Sequence, residues 1–262
     1  LHQAIERGHR NIVHDLLGNG ASATAKDIYG DTPLHVAVRN KANPEMVQLL
    51  LLKGAGTDTV DNDGFTPLLI AVSIGQVTAA LALLAAGANV SLRCRTHNGN
   101  KSVMHMAAEH GQVDILRAAI EHGANGANVN DRHTYSRDTP LHLAACYNHA
   151  EAIDVLMEAG ANIEARDDIG RTPLHRAAGT LSLVAVATVL RHDAEVDAQD
   201  DRGETPLHDA AREAGSPGAA AAEVVESLLR SGADETILNG QGEVAADGVT
   251  EDFLLRYHQV TE

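Results

Sequence analysis

Large aromatic side chains are almost missing from this sequence, which contains no Trp, two Phe and four Tyr. Hydrophobic residues nevertheless make up 44% of the chain, so Ala and aliphatic side chains must supply the apolar surface that folding buries. Side chains of this size suit thin layers of helices that pack closely. The composition therefore indicates close-packed helical layers rather than a core built on aromatic residues.

Basic residues are also scarce: 20 Lys and Arg stand against 36 Asp and Glu, for a formal net charge of −16. A surface that binds phosphate groups needs clustered Lys and Arg, so this balance argues against nucleic acid as a partner. It argues equally against an anionic membrane surface. A basic protein partner would be attracted at long range, although physiological salt screens that attraction beyond about 8 Å.

Cysteine is rare as well, since only Cys94 and Cys146 occur. Two cysteines are too few for a disulfide framework, which favours a reducing, intracellular location that we predict to be the cytoplasm. No apolar run reaches the roughly 18 residues that a membrane-spanning helix requires, so we expect no membrane insertion. No signal peptide is visible. Because the chain opens on Leu1 in the middle of a motif and without Met, we interpret it as a segment of a longer protein.

What the chain has in abundance is a repeated motif, whose clearest copy reads DTPLHLAA at residues 138–145. Related stretches begin at Thr32, Thr66, Ser102, Thr172 and Thr205, with a worn copy at Val244 and the end of another at Leu1 and His2. From one Thr, or its substitute, to the next the intervals are 34, 36, 37, 33, 33 and 39 residues. A period of 33 residues with insertions in four intervals predicts a stack of similar units rather than one globular core.

The motif and its period resemble those of the ankyrin repeat family over essentially the whole chain. The resemblance implies an all-α solenoid of stacked helix-turn-helix units with protruding β-hairpin loops. We expect one array over residues 1–262, with about seven repeats and a C-terminal cap at 239–262 that contains a closing helix at 251–258. The predicted repeats are 1–26, 27–60, 61–94, 95–133, 134–166, 167–199 and 200–238.

Each predicted unit carries signals for where its helices begin and end. The motif Thr or Ser can cap the first helix, and the Pro that follows loses no helical hydrogen bond in the first turn. The second helix ends at a residue that can adopt left-handed backbone angles. That residue is Gly20, Gly54, Gly87, Gly123, Gly160 or Gly232, and Asp193 replaces it in one unit at an expected conformational cost. The first helix is expected to end near Gly8, Gly75, Gly111, Asn148 or Leu181.

Fifteen His residues raise the question of metal binding or catalysis. His35, His105, His142, His175 and His208 recur in register with the motif, which indicates a structural role, and no His-Glu-x-x-His or Cys-x-x-Cys spacing predicts zinc. Residues 61–64 resemble part of a calcium loop, but the first Asp and the bidentate Glu are missing, so solvated turn residues are the better interpretation. Cys94 with His97 could be a thiolate and a base, but nothing orients the His, and a plain loop Cys is favoured. We therefore expect no catalytic residue, no cofactor and no metal.

The scarce aromatic residues predict the binding surface. Tyr29, Phe65 and Tyr135 lie just before a motif Thr or Ser in the expected hairpins, and Tyr147 lies at the end of a first helix. Aromatic and Arg side chains contribute most of the energy at interfaces, although hairpin aromatics could instead pack on neighbouring hairpins. With other residues in the same register, the candidate set is Tyr29, Phe65, Ile74, His110, Tyr135, Arg137, Tyr147, Arg171, Arg176 and Arg202.

Two charges at one register position are a special case, because Arg176 and Asp209 stand where other units have apolar residues. They suggest a more polar inner face in the later units, and salt bridging between neighbouring repeats is the alternative. From the resemblance we expect a monomeric, non-catalytic module that binds a protein partner through its hairpin tips and concave face. Two alternatives stay open: a substrate-recognition segment of a larger enzyme, of the ubiquitin ligase or kinase type, and a structural spacer.

Overall fold

A computed structural model describes residues 1–41, 44–94, 100–122, 128–213 and 219–245 of the chain. These residues form fourteen helices. In chain order they are α1 His2–Glu6, α2 Arg10–Gly18, α3 Pro33–Arg39, α4 Pro44–Leu52, α5 Pro67–Ser73, α6 Val77–Ala85, α7 Val103–Glu109, α8 Val113–His122, α9 Pro140–Cys146, α10 Ala150–Glu158, α11 Pro173–Gly179, α12 Leu183–Arg191, α13 Pro206–Glu213 and α14 Ala219–Arg230.

The helices belong to two compact units, which are described separately. The first unit comprises Leu1–Ala107 and Gln112–Thr134, and the second comprises Ala108–Gly111 and Tyr135–Glu262. In the first unit α1, α3 and α5 pack in succession, and α4, α6 and α8 form a second layer. In the second unit α9, α11 and α13 form one layer and α10, α12 and α14 the other. The expected all-α architecture of stacked helix-turn-helix units is thereby confirmed, whereas the repeat boundaries stay predictions.

The first helices begin where the motif predicts. Thr66 Oγ1 accepts a hydrogen bond from the Leu69 backbone N–H at 3.2 Å, and Thr139 Oγ1 accepts one from His142 N–H at 3.4 Å. Pro occupies the first helical position in α5 and α9, where it removes no intrahelical bond. The hydroxyl thus satisfies an N–H that the first turn would leave without a partner.

The helices also end where expected. After α12, Asp193 has a φ of 61°, close to the 84° of Gly160 at the same place after α10. Asn148 and Leu181 have φ values of 61° and 55° in the turns that separate first from second helices. Asp193 therefore adopts the left-handed conformation expected at its position, and its conformational cost stays a prediction. Gly123, the insertion at 215–218 and the expected closing helix lie outside the described residues.

Small residues in the motif allow the first helices to approach closely. The Ala five positions after the motif Thr or Ser is completely buried in each described copy, at Ala37, Ala71, Ala107, Ala144, Ala177 and Ala210. The motif Leu, as at Leu34 and Leu141, fills the adjacent space. Close packing of this kind leaves no room for an added methylene, so these positions accept little change in volume.

The loops between units are compact turns held by hydrogen bonds. Asp61 N–H donates to Phe65 O at 2.9 Å across one turn, and Asn62 N–H donates to Tyr29 O at 3.0 Å in the preceding loop. In the part of the chain that the structure describes, strand-like pairing is limited to two isolated bridges, Arg93 with Ser102 and Leu238 with Val244. The loops are therefore tied to one another mainly through turn backbones.

The interpretation of Asp61 as a solvated turn residue is wrong. Asp61 is buried, and its Oδ1 accepts hydrogen bonds from the backbone N–H groups of Asp63 at 2.9 Å and Phe65 at 2.8 Å. Its other oxygen accepts from Arg39. An Asp side chain that bonds its own turn in this way replaces water as the acceptor, so the carboxylate anchors the loop from inside.

In the repeats that carry it, the motif His joins one unit to the next. His35 Nε2–H donates to Phe65 O at 3.0 Å, while its Nδ1 accepts from the Thr32 N–H at 3.1 Å. His142 and His175 make the same pair of bonds, to Thr139 and Arg171 O and to Thr172 and Glu204 O. Because a carbonyl only accepts and Nδ1 must accept here, the ring is the neutral Nε2–H tautomer. The expected structural role of these histidines is confirmed.

Burial lowers the pKa of His175 to about 4, and protonation would also remove the Nδ1 acceptor that Thr172 uses. The unfolded chain therefore takes up a proton near pH 6.5 while the folded chain resists it. The stability that His175 contributes is fully present above that pH and is lost as the pH falls towards 4.

Replacing His175 by Leu should weaken this pH dependence. The chain itself uses Leu69 at the equivalent position, completely buried, so the substitution fits the fold. Between pH 7.5 and 5 the wild type should lose about 2 kcal/mol more of its free energy of unfolding than His175→Leu, as measured by urea denaturation. His14→Gln, at an exposed position in α2, is the matched control and should behave as wild type. An unchanged pH dependence in His175→Leu would contradict this role.

No helix among the described residues has the length and apolar character needed to cross a membrane.

Candidate partner-binding surface

The first unit exposes two large apolar side chains at the tip of the loop formed by residues 27–31. Ile28 is 85% exposed and Tyr29 is 67% exposed. The loop beneath them is fixed, because Asp27 Oδ1 accepts from the N–H groups of Tyr29 and Asp31, each at 2.9 Å. The two side chains therefore project from a backbone that is already ordered.

A pocket of about 260 Å³ lies beside the next loop, where α3 and α5 form the inner helical face of the first unit. It is lined by Arg39, Asp63, Phe65, Ile70, Ser73 and Ile74. Of the predicted binding residues, Phe65 and Ile74 meet here, and Ile74 is partly exposed. Apolar side chains and polar or charged side chains contribute about equally to this lining, which suits an apolar side chain whose orientation is fixed by polar groups.

Arg39 at the rim of this pocket is held by two buried carboxylates. Its Nε donates to Asp31 Oδ2 at 3.1 Å, and its Nη2 donates to Asp61. Burial raises the pKa of Asp31, and the Arg39 guanidinium opposes that rise. The guanidinium is therefore fixed in position, and its charge is already balanced within the first unit.

The second unit exposes aromatic residues on both sides of α9. Tyr135, in the loop before it, is 75% exposed, and Tyr147, at its C-terminal end, is 51% exposed. Burial and the neighbouring Glu109 carboxylate raise the pKa of the Tyr147 hydroxyl. His110 and Arg137 are exposed as well, and Arg137 has a φ of 54°. These positions agree with the expectation that the aromatics lie off the buried stripe.

The three remaining candidate arginines differ in their surroundings. Arg171 Nε donates to Asp167 Oδ2 at 3.1 Å, and Arg176 Nη2 donates to Asp138 Oδ2 at 3.0 Å. The Arg176 bond joins two neighbouring repeats. It is the inter-repeat salt bridge that the sequence analysis gave as the alternative to a polar inner face. Arg202 is exposed. Asp209 does not present a polar surface as expected, since it is buried between helices.

Sequence reasoning missed Ile28, although this residue is more exposed than any of the predicted aromatics. Val60, in the loop that follows, is also exposed and its carbonyl accepts from Lys26 Nζ at 2.7 Å. An apolar residue inside an Asp-x-x-Gly turn was the available signal, because such a turn leaves its central side chains in solvent.

The alternative chemistries find little support in the geometry. In the described ranges, no three His, Cys, Asp or Glu side chains come together as a metal-binding group. Cys94 is buried, with its Sγ 3.6 Å from Lys101 O, and His97 lies outside the described residues. The reading of Cys94 as a plain loop residue is the one that the described contacts favour.

Gly30 should be required for the position of Tyr29. Its φ is 77°, and a Cβ at this position would lie 2.5 Å from Asn62 Oδ1 and 2.8 Å from Asn62 N, so the backbone of the next loop would have to move. Gly30→Ala should therefore lower the free energy of unfolding by about 1 to 2 kcal/mol more than Gly20→Ala. Gly20 is the matched control, because its φ is 85° but nothing lies within 4 Å of an added Cβ. Equal losses in the two variants, measured by urea denaturation, would show that the loops do not press on each other.

The sequence matches a family profile and several known proteins. The family profile described as "Ankyrin repeats (3 copies)" matches residues 1–94, 91–167 and 165–239. The E3 ubiquitin-protein ligase KEG of Arabidopsis thaliana is 32% identical over 162 residues, which are 59% of this chain and 10% of that protein. The B-cell lymphoma 3 protein of Homo sapiens is 34% identical over 159 residues, 60% of this chain and 34% of that protein.

A solved structure shows the same architecture. The crystal structure of the ankyrin repeat domain of Bcl-3, described as a unique member of the IkappaB protein family, has a TM-score of 0.73 and 30% sequence identity. The match covers 88% of this chain and 99% of that one. The two curated relatives are much longer, and the chain spans about a tenth of one and about a third of the other.

Proposed function

The chain belongs to the ankyrin-repeat family, and from this premise we propose that it binds a protein partner, without catalysis, through its loop tips and inner helical faces. Domains of this family are generally protein-interaction modules, so the proposal concerns which residues make contact. The observation that carries it is the exposure of large apolar side chains on loops whose backbones are already bonded in place.

Exposed apolar side chains favour binding because water must otherwise solvate them. Ile28 and Tyr29 in the first unit, and Tyr135 and Tyr147 in the second, are each more than half exposed. Aromatic side chains of this kind supply much of the energy at protein interfaces. Isolated exposed apolar residues are common on any protein, but these four stand at loop tips or at the end of a first helix, and the three tyrosines among them were nominated from the sequence.

Hydrogen bonds that hold the loops in place before binding should increase affinity. Asn62 N–H bonds to Tyr29 O, Asp168 N–H bonds to Ser136 O at 2.9 Å, and Asp201 N–H bonds to Ile169 O at 3.1 Å. Each loop is thus fixed to its neighbour before a partner arrives. A surface that is ordered in advance loses less conformational entropy on binding, which lowers one of the costs that limit affinity.

The pocket beside Phe65 and Ile74 would receive an apolar side chain of the partner, and the net charge of −16 favours a partner with a basic surface. The proposal includes a monomeric chain in the reducing cytoplasm, in keeping with Cys94 and Cys146, both of which are free thiols.

A second candidate is suggested by the similarity to KEG, a ubiquitin ligase by name. In that case the chain would select the substrate of an enzyme whose catalytic domain lies elsewhere in a longer protein. The same loop tips would make the contact, so the two candidates differ only in what the bound protein undergoes.

The proposal is tested in two steps. Affinity capture and mass spectrometry first identify a partner, and the exposed aromatic side chains are then replaced by Ala. Tyr29→Ala with Phe65→Ala, and Tyr135→Ala with Tyr147→Ala, should each weaken binding at least tenfold by calorimetry, the size expected when interface anchors are truncated. Leu52→Ala and Val184→Ala are matched controls, since both side chains are exposed on second-layer helices. Unchanged affinity in both double variants, or equal losses in the controls, would refute this placement of the surface.

A further inference from the structure

The second unit contains two buried carboxylates at the end of its inner helical face. Asp209 lies on α13, and Glu204 precedes the capping Thr205; each residue is only 8% exposed. At the register of Asp209 four other repeats carry the apolar residues Val36, Ile70, Met106 and Leu143, and one carries Arg176. An acidic residue here is therefore peculiar to this repeat.

One guanidinium serves both carboxylates. Arg212 Nη2 donates to Glu204 Oε1 at 2.6 Å, and its Nη1 donates to Asp209 Oδ1 at 3.3 Å. Asn239 Nδ2 adds a longer contact of 3.4 Å to the same oxygen of Glu204. The Arg212 side chain is 56% exposed, so it covers the two acids from the solvent side.

The second oxygen of each carboxylate has no donor. Among the described residues, Asp209 Oδ2 and Glu204 Oε2 are buried without any hydrogen-bond partner. A buried carboxylate oxygen without a donor is costly, because burial removes the water that would otherwise bond it. Burial raises the pKa of Asp209 to about 6 despite the nearby charges of Arg212 and Arg171. One cation therefore does not fully satisfy this pair of acids.

The first unit provides a comparison at the same register. Arg39, like Arg212, lies seven residues after the motif Thr and bonds two acids, Asp31 and Asp61. There every carboxylate oxygen has a donor: Arg39 Nε contacts both oxygens of Asp31, and Asp61 receives two backbone N–H groups and Arg39 Nη2. The open oxygens of the second unit are therefore not a general consequence of the fold.

The neighbouring helix α11 packs against Asp209 through a glycine. Gly179, at the end of α11, occupies the register of Arg39 and Arg212, and a Cβ added there would lie 3.6 Å from the Asp209 Cβ. Because Gly179 has no side chain, this position of α11 offers Asp209 no donor.

We propose that Glu204 and Asp209 form a binding seat for an arginine side chain of the protein partner, which Arg212 admits by turning outward. This inference rests on the proposed function and specifies the chemistry of its partner. Arginine fits because a planar guanidinium can present N–H groups to two carboxylates at once, which the single ammonium of lysine does less well. Arg212 can move because its guanidinium is largely in solvent.

The seat is tested with N-acetylarginine amide as the probe and the ¹⁵N-labelled chain observed by NMR. Saturable shifts are expected at the amides of Glu204, Asp209 and Asn239, and the neutral isostere N-acetylcitrulline amide should give none. Asp209→Asn should weaken binding at least fivefold. Arg212→Ala, which removes the competing guanidinium, should tighten it at least threefold, and Arg212→Lys should lie between this variant and wild type.

Arg230→Ala is the matched control, since this exposed arginine of the same unit bonds only Glu226 among its described contacts. It should bind the probe as wild type does. Circular dichroism establishes that each variant is folded. If Asp209→Asn does not fold, Glu204→Gln is used in its place and should weaken binding in the same way. Equal shifts with the citrulline probe, or binding that neither Asp209→Asn nor Arg212→Ala alters, would overturn the seat.

The two proposals fail separately. If the tyrosine variants lose the protein partner but Asp209→Asn and Glu204→Gln keep full affinity for it, the seat is wrong and the proposed function stands. If the probe binds as expected but no partner depends on the tyrosines, the proposed function is wrong and the seat remains a cation site.

Discussion

The structure depends on a recurring histidine whose imidazole bonds in two directions. Nδ1 of the motif His accepts from the Thr that begins its own helix, and Nε2–H donates to the carbonyl that precedes the next motif, as in His35 to Phe65 O and His208 to Glu243 O. Each bond is buried or half-buried, where a lost partner is expensive. A single side chain thus fixes where a helix begins and how far the next loop lies from it. Only the neutral ring can do both, so burial and a lowered pKa accompany the arrangement at His35, His142 and His175.

The same bond prepares the loops for binding. The carbonyl that accepts from His35 belongs to Phe65, and Phe65 N–H is bonded to Asp61, whose neighbour Asn62 bonds to Tyr29 O. A few hydrogen bonds therefore connect the buried motif His to the exposed loop tip and hold the backbone of the tip in place. A rigid tip that carries Ile28 and Tyr29 can contribute its apolar surface to a partner at little cost in entropy. The motif His itself is buried, as at His35, His142 and His175.

Much of this follows from the sequence, because it depends on local rules. Thr followed by Pro predicts the start of α5 and α9, and the position of Asp193 after α12 predicts a left-handed residue. The predictions that were wrong concern side chains whose burial depends on neighbours one repeat away. Asp61 is bonded by Arg39 of the previous repeat, and Asp209 packs beside Gly179 of the previous repeat. A periodic pattern indicates which face a residue occupies, but not which residue of the next layer covers it.

The central claim, that the motif His holds the exposed loops in place, is tested most directly by amide hydrogen exchange in His35→Leu. Leu69 shows that the fold accepts leucine at this position, so the variant removes the bond with little change in packing. The amides of Asn62 and Phe65 should exchange at least tenfold faster than in wild type, because their loop loses the bond to Phe65 O, while amides of α12 keep their rates. Unchanged exchange at Asn62 and Phe65 in a folded variant would contradict the claim and show that the loops are ordered without the histidine.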